Sequence, residues 1–286
     1  MAVTSFIPKL WSARLLAHLD KTLVFANLVN RDYEGEISNY GDTVNIGKLG
    51  DVTVKTYNKN STINSPDQLN MTNIQLIIDQ ADYFNFGIDD VDAAQIRTEI
   101  MDKAMSRAAY AMADKVDRYL VAEMAKKIAT RNTGGNANAG DKITKDNAYS
   151  KLVDLKVKMD SANVPSAGRY IVVPPEFEGL MLLDQRFAGA NSAKSEAALT
   201  NGFVGRAAGF DIYISNNCPK TTNTYTCIAS VKDSTTFVQQ IVKTEAFRPQ
   251  DRFNDAVKGL SVYGSKVTTE EMVYAIYADF TAPEAP

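Results

Sequence analysis

Histidine and cysteine are nearly absent from this chain of 286 residues, which has one His, His18, and two Cys, Cys218 and Cys227. A single histidine excludes a multi-histidine metal centre within one chain, and the place of His18 in an amphipathic N-terminal pattern suits a surface or boundary residue rather than a nucleophilic triad. The two cysteines stand nine residues apart around Pro219, a spacing that matches no zinc or redox motif. They are expected to be plain structural thiols, in a protein that folds in a reducing cytoplasm without a disulfide framework. No apolar run approaches the ~18 residues of a membrane span. Lys9, Arg14, His18, Asp20 and Lys21 interrupt the first thirty residues, so no signal peptide is expected. The formal net charge is only −3, which provides no overall attraction to nucleic acid or to an anionic membrane.

Recognisable catalytic patterns are missing too. There is no phosphate loop, nucleophile elbow or zinc-binding helix. The stretch Gly202 to Gly209 is glycine-rich, yet it lacks the spacing and the strand–helix context of a phosphate site. Asp89, Asp90 and Asp92 have the oxygen ligands a hard cation needs. Acidic residues at a helix start explain the same cluster with less machinery. No catalytic, cofactor-binding or metal-ligating residue is therefore assigned, no cofactor is expected, and the chain is not expected to be an enzyme. An α+β enzyme with a carboxylate-based site is the rival from another class.

What the chain does have is a long helical pattern. From Asp89 to Arg131 apolar residues recur every four positions: Ile96, Ile100, Ala104, Ala108, Met112, Val116, Leu120, Met124 and Ile128. The pattern predicts a helix of about forty residues, ~60 Å long, ended by Gly134-Gly135. Glu99–Lys103, Asp114–Arg118 and Glu123–Lys127 are expected as i,i+4 pairs. A four-residue row drifts ~40° per step around a helix, so the apolar stripe winds. The two ends must pack on different neighbours, which describes a rod with separate lobes attached.

The segments before this rod read differently. Trp11, Leu15, Leu19 and Leu23 predict a short helix after Pro8, whose Trp11 either packs on its own body or docks on a neighbour. Thr43–Ile46 and Val52–Lys55 alternate around Gly47-Lys48-Leu49-Gly50 and predict a hairpin. A polar run from Asn58 to Asn70 and strands at Ile74–Ile78 and Phe84–Ile88 follow. Such an excursion buries too little to be stable alone. It is either a mobile flap or a strap lying on another subunit.

Beyond the rod, Gly134–Asp141 reads as a loop and Thr144 as the cap of a helix with Tyr149, Leu152, Leu155, Met159 and Ala162 on one face. Arg169–Val173 is a buried strand, Pro174-Pro175 opens a helix with Phe177, Leu180 and Leu183 inward, and Gly189–Gly202 is a mobile surface loop. Gly209–Ile214 is a strand. The alternation implies an α+β or α/β lobe from about 142 to 232. Strands at Phe237–Val242, Gly259–Tyr263 and Met272–Tyr277 are expected to join the rod and the strand at 74–88 in a second lobe. Arg248 and Arg252 flank Pro249 beside Phe247 and Phe253, a mixture that suits a protein interface and equally a solvated turn.

Several of these blocks, in this order, resemble the major capsid proteins of tailed bacteriophages, which have the Hong Kong 97-type fold. They are Ile7–Ser12, Leu28–Ile37 with Gly41–Val44, Tyr83–Asp92 with Gln95, Asn163–Pro165 with Gly168–Glu176, Gly205–Asn217, and Val262–Val267. The resemblance implies an α+β chain divided into an N-terminal arm (1–32), an extended hairpin loop (33–80), a peripheral domain with the spine helix (81–141), an axial domain (142–232) and the C-terminal strands of the peripheral domain (233–286). It implies self-assembly through pentamers and hexamers into an icosahedral shell around double-stranded DNA. A portal protein, separate scaffold or cement proteins and the packaged DNA are the further partners, with no membrane. The expected location is the virion capsid, assembled in the host bacterial cytoplasm. Residues expected at inter-subunit contacts are Trp11, Arg14, Arg31, Lys48, Asp51, Lys55, Tyr57, Arg248 and Arg252. Some members carry a helical scaffolding extension or a Lys–Asn cross-link, and this sequence identifies neither. An encapsulin-like nanocompartment shell shares the fold and is the nearest rival.

Overall fold

The computed structural model describes residues 23–34, 40–50, 52–57, 70–89, 99–128, 131–133, 135–183, 203–249 and 254–281, with 59, 62, 65, 67 and 68. The helix expected after Pro8, the acidic residues Asp90 and Asp92, and the loop at 189–202 lie outside them.

In chain order, a short helix α1 (Phe25–Leu28) precedes β1 (Thr43–Leu49), β2 (Met71–Ile77) and β3 (Gln80–Asp89). The long helix α2 (Glu99–Ala125) leads to β4 (Asn132–Thr133), β5 (Gly135–Asn136) and β6 (Ala139–Lys142). Helix α3 (Ala148–Ser161), β7 (Arg169–Val173) and α4 (Pro175–Leu183) follow, then β8 (Phe203–Ala207), β9 (Phe210–Ile214), β10 (Lys220–Thr221) and β11 (Thr224–Val231). The chain closes with β12 (Thr235–Phe247), β13 (Asn254–Val267) and β14 (Tyr274–Asp279).

Among the described residues three sheets result. β1 and β2 pair alone, β12-β13-β3 form a long antiparallel sheet, and a nine-stranded sheet runs β5-β6-β14-β11-β7-β9-β8 with β4 and β10 at its flanks. The nine-stranded sheet is covered on both faces. Ile171, Val173, Ile212, Ala229 and Ile276 meet α3 and α4 through Leu152, Leu155, Met159 and Phe177. The alternate residues Tyr170, Val172, Ile228 and Ala275 meet the C-terminal half of α2. Burial on both faces is why Arg169–Val173 reads as an unbroken run and not as an alternation.

The winding stripe on α2 is present. Met105 and Ala109 pack with Val257, Phe84 and Phe86 of the three-stranded sheet. From Met112 to Ile128 the buried side turns onto the nine-stranded sheet and onto Leu23, Phe25 and Val29. One helix thus ties two sheets together because its apolar row drifts round its axis. At its N-terminal end the row is shifted by one, with Met105 and Ala109 buried and Ala104 and Ala108 half-buried.

Several local expectations are corrected. α2 ends at Ala125, and Arg131 already accepts a strand-like bond from the Ala275 N–H. Asp89 ends a strand, paired opposite Asn254, and starts no helix. Asp114–Arg118 forms at 3.0 Å, while Glu123 pairs with Lys126 and Lys127 turns to Glu270 at 2.7 Å. Thr144 does not cap α3. Asn147 occupies the N-cap, and its Oδ1 accepts the Thr144 N–H at 2.8 Å. Ala162 and Leu183 are exposed, and Met181 takes the inward place expected of Leu183. The Gly134–Asp141 loop contains the β5–β6 pairing, with Gly135 at φ +75°. β14 pairs with β11 inside the nine-stranded sheet, so the strand expected at Met272–Tyr277 does not join the long hairpin.

Candidate assembly surfaces

The excursion after α1 is a hairpin of different register from the expected one. β1 runs straight through Gly47-Lys48-Leu49 and pairs Thr43–Leu49 with Ile77–Met71, so the described residues between 50 and 70 lie beyond the paired strands and Gly47–Gly50 form no turn. Residues 52–57 belong to no strand and are exposed. Val54 is 93% exposed and Tyr57 68% exposed.

The root of this arm is anchored. Val44, Ile46, Leu76 and Ile78 bury against Val238 and Val262 of the β12–β13 hairpin. Gly264 makes that approach possible, since a Cβ there would stand 2.5 Å from the Ile77 carbonyl oxygen. Tyr119 donates to Asp79 at 3.0 Å, Tyr263 donates to Asp82 at 2.6 Å, and Lys115 pairs with Asp82. Burial, then the Asp79 contact, pushes the Tyr119 hydroxyl up to about 12, and burial followed by Asp82 raises Tyr263 as well. Both phenols therefore stay protonated donors at neutral pH. The arm is thus a projecting limb on a fixed shoulder.

A second uncovered surface lies on the three-stranded sheet. The face bearing Phe84, Phe86 and Val257 is turned to α2. The opposite face carries an open groove of about 380 Å³ lined by Tyr83, Asn85, Glu245, Lys258, Gly259 and Leu260. Tyr83 is 77% exposed, and Lys258 is held by Glu245 at 3.0 Å and over the Phe247 ring. Exposed apolar side chains on the arm and on this sheet face suit burial by a partner.

Of the residues expected at contacts, Lys48, Lys55 and Tyr57 come together on the arm, all exposed. Lys55 pairs with Asp67 at 2.7 Å across the two limbs of the tip. Arg31 sits at the root, bonded to Glu34 at 2.7 Å and Asn27 at 3.0 Å, beside Asn30, which bridges to Thr236. Arg248 is exposed at the far end of β12, apart from the arm's root. Trp11, Arg14, Asp51 and Arg252 lie outside the described residues.

Sequence reasoning missed Asp117. It is 1% exposed, and its carboxylate accepts the Val24 N–H at 2.9 Å and the Ala26 N–H at 3.2 Å. Val24 itself supplies no side-chain cap to α1, so a residue 93 positions later does. Burial drives its pKa up to about 6, against the backbone donors that lower it. An aspartate inside the apolar row of α2 was the available signal. Cys218 and Cys227 are free and buried; burial pushes Cys218 up to about 12 and Cys227 well above its ordinary value. Among the described residues no cluster of three acidic, histidine or cysteine side chains is placed to hold a metal ion.

A long spine helix joining two sheets, with a projecting two-stranded arm, defines an α+β shell-subunit architecture of the Hong Kong 97 type. Solved structures share it along nearly the whole chain. One from Mycobacterium phage Che8 is 30% identical, covers 96% of this chain and 98% of its own, and has a TM-score of 0.67. The capsid of cyanophage P-SCSP1u is 18% identical over 91% of this chain and 89% of its own, with a TM-score of 0.69. The capsid of Ralstonia phage GP4 is 10% identical over 91% and 89%, with a TM-score of 0.67. No curated protein matches the sequence. The model of the phage capsid protein family matches residues 75–276, and the chain belongs to that family. It is a capsid protein, a part of the virion shell rather than a nanocompartment protein.

Proposed function

We propose that the subunit closes into pentamers and hexamers, and that its arm is the strap between neighbours. The observation that carries this is the arm itself: a rooted hairpin whose outer residues, Val54 and Tyr57 among them, find no cover among the described residues of their own chain. Heterologous contacts repeated around an axis close into rings, and rings tile into a shell. The N-terminal arm (1–32) and the hairpin loop (33–80) serve contacts between copies. The spine with the long hairpin serves as the peripheral domain, and the nine-stranded sheet with α3 and α4 as the axial domain. Arg31, Lys48, Tyr57 and Arg248 are the described side chains offered to neighbours, with Trp11, Arg14, Asp51 and Arg252 in the same role. Lys55 serves the arm's own shape through Asp67.

The work is structural, without a catalytic step. Assembly takes place in the host bacterial cytoplasm, and the shell encloses double-stranded DNA with a portal protein at one vertex and separate scaffold or cement proteins as helpers. Replacing residues 50–69 by a two-residue turn tests the strap. Urea unfolding of the variant should match the parent, and electron microscopy should show capsomers or aggregates but no closed shells. Normal closed shells would remove the arm from assembly.

A further inference from the structure

The arm joins the body over two residues. β2 ends at Ile77 in the two-stranded sheet and β3 begins at Gln80 in the three-stranded one, so Ile78 and Asp79 are the pivot. The return limb is tied to the same point. The Gly41 N–H donates to the Ile78 carbonyl and the Ile78 N–H to the Asp42 carbonyl, both at 3.0 Å. Both limbs therefore turn together about one short segment.

Two kinds of contact hold this pivot, and they restrain different things. Ile78 is fully buried with Val238 and Val262, where Gly264 leaves room for the chain. Apolar burial is non-directional, so this seat keeps the root down without fixing its angle. A hydrogen bond is directional. Asp82, three residues beyond Asp79, is gripped twice, by the Tyr263 hydroxyl at 2.6 Å and by Lys115. Asp79 is exposed and, among the described residues, accepts one bond, from the Tyr119 hydroxyl at 3.0 Å. The Tyr119 ring is itself fixed, edge-on to Tyr263 with centroids 5.4 Å apart. β3 is thus anchored firmly at Asp82, while the pivot is held by a single bond that water can replace.

We propose that the Tyr119–Asp79 bond is a latch that sets the angle at which the arm leaves the body, and that breaking it lets the arm turn about Ile78–Asp79 with both sheets intact. This rests on the reading of the arm as a strap between copies. The lever is long. β2 carries the arm ~25 Å from Asp79 at about 3.3 Å per residue, so a turn of about 10° moves its far end by roughly 4 Å. A gap of about 1 Å already forfeits up to about half of a van der Waals contact, so the angle decides which surface the tip can reach.

The test is the distance distribution between spin labels on the arm, at Lys48→Cys, and on the body, at Lys258→Cys. It is measured by double electron–electron resonance on the full-length unassembled chain. Burial keeps Cys218 and Cys227 out of the labelling. Tyr119→Phe preserves the ring contact with Tyr263 and removes only the donor. The displaced-arm population should rise roughly fivefold, the worth of one such bond, and Asp79→Ala should do the same. The two substitutions together should do no more than either alone, because they remove one shared bond. Asp79→Asn should restore the parent distribution, since its amide oxygen still accepts from Tyr119. Urea midpoints should not move, and a shifted midpoint for Tyr119→Phe would overturn the latch in favour of a packing role. Equal distributions for parent and Tyr119→Phe, or an Asp79→Asn that behaves like Asp79→Ala, would also overturn it. Electron microscopy of assembled material separates the two levels. Tyr119→Phe should widen the spread of shell diameters, and shells as uniform as the parent's would defeat this inference alone. Failure of the parent to form shells defeats the strap reading on which it rests.

Discussion

Acid should stabilise this subunit through Asp117, and replacing that residue by Asn should abolish the effect. The carboxylate is buried, and its pKa is raised from 3.8 to about 6, chiefly by desolvation and to a lesser degree by Asp114. Between those values the folded state holds a proton that the unfolded chain has released. A raised folded-state pKa for an acid means its contribution is full below about pH 4 and is lost as pH rises through about 6. The interval is worth roughly 3 kcal/mol at about 1.4 kcal/mol per pKa unit. Asp117→Asn removes that ionisation cost but turns an N–H group toward either Val24 or Ala26, leaving a buried donor unpaired for about 1–3 kcal/mol. Near pH 7 the two effects oppose each other, so the variant should equal the parent or exceed it by up to about 2 kcal/mol. Near pH 4 the parent should be the more stable by about 1–3 kcal/mol. Urea unfolding of the unassembled subunit at several pH values measures this directly. Hydrogen exchange should show weaker protection of one of the amides of Val24 and Ala26 in the variant. A stability difference that does not change with pH would refute the reasoning, because it would mean Asp117 ionises as freely in the folded chain as in the unfolded one.

Two further tests probe other parts of the fold. Gly264→Ala puts a methyl group 2.5 Å from the Ile77 carbonyl oxygen and 3.2 Å from the Ile78 Cα, so backbone must move. The expected loss is about 1–3 kcal/mol with faster proteolytic nicking at residues 50–70, and an unchanged urea midpoint would show that the arm root does not rest on β13. Neither Cys218 nor Cys227 should react with a thiolate-specific reagent at pH 8 in the native subunit, since burial holds both as thiols, and both should react after unfolding. Rapid labelling of the native protein would contradict the buried placement.

Much of this molecule is readable along the chain because its signals are local. The every-four row in α2 foretold two sets of neighbours, and the apolar run Tyr170–Val173 foretold a buried strand. Strand pairing was less accessible. Gly47-Lys48-Leu49-Gly50 looks like a turn within its own four residues, but pairing Thr43–Leu49 with Met71–Ile77 lets Val44, Ile46 and Leu76 share one buried face. That gain depends on Val238 and Val262, far along the chain.

The sequence by itself therefore determined the class of element at most positions, the division into rod, arm and mixed lobes, and the family resemblance, because period and composition are carried by neighbouring residues. Only the tertiary structure decided that β14 joins β11, that Asp117 caps a helix 93 residues earlier, and that the arm is rooted on its own body through one buried face of β1 and β2. Those outcomes depend on which distant surfaces meet and lose water together, and spacing along a chain does not encode that.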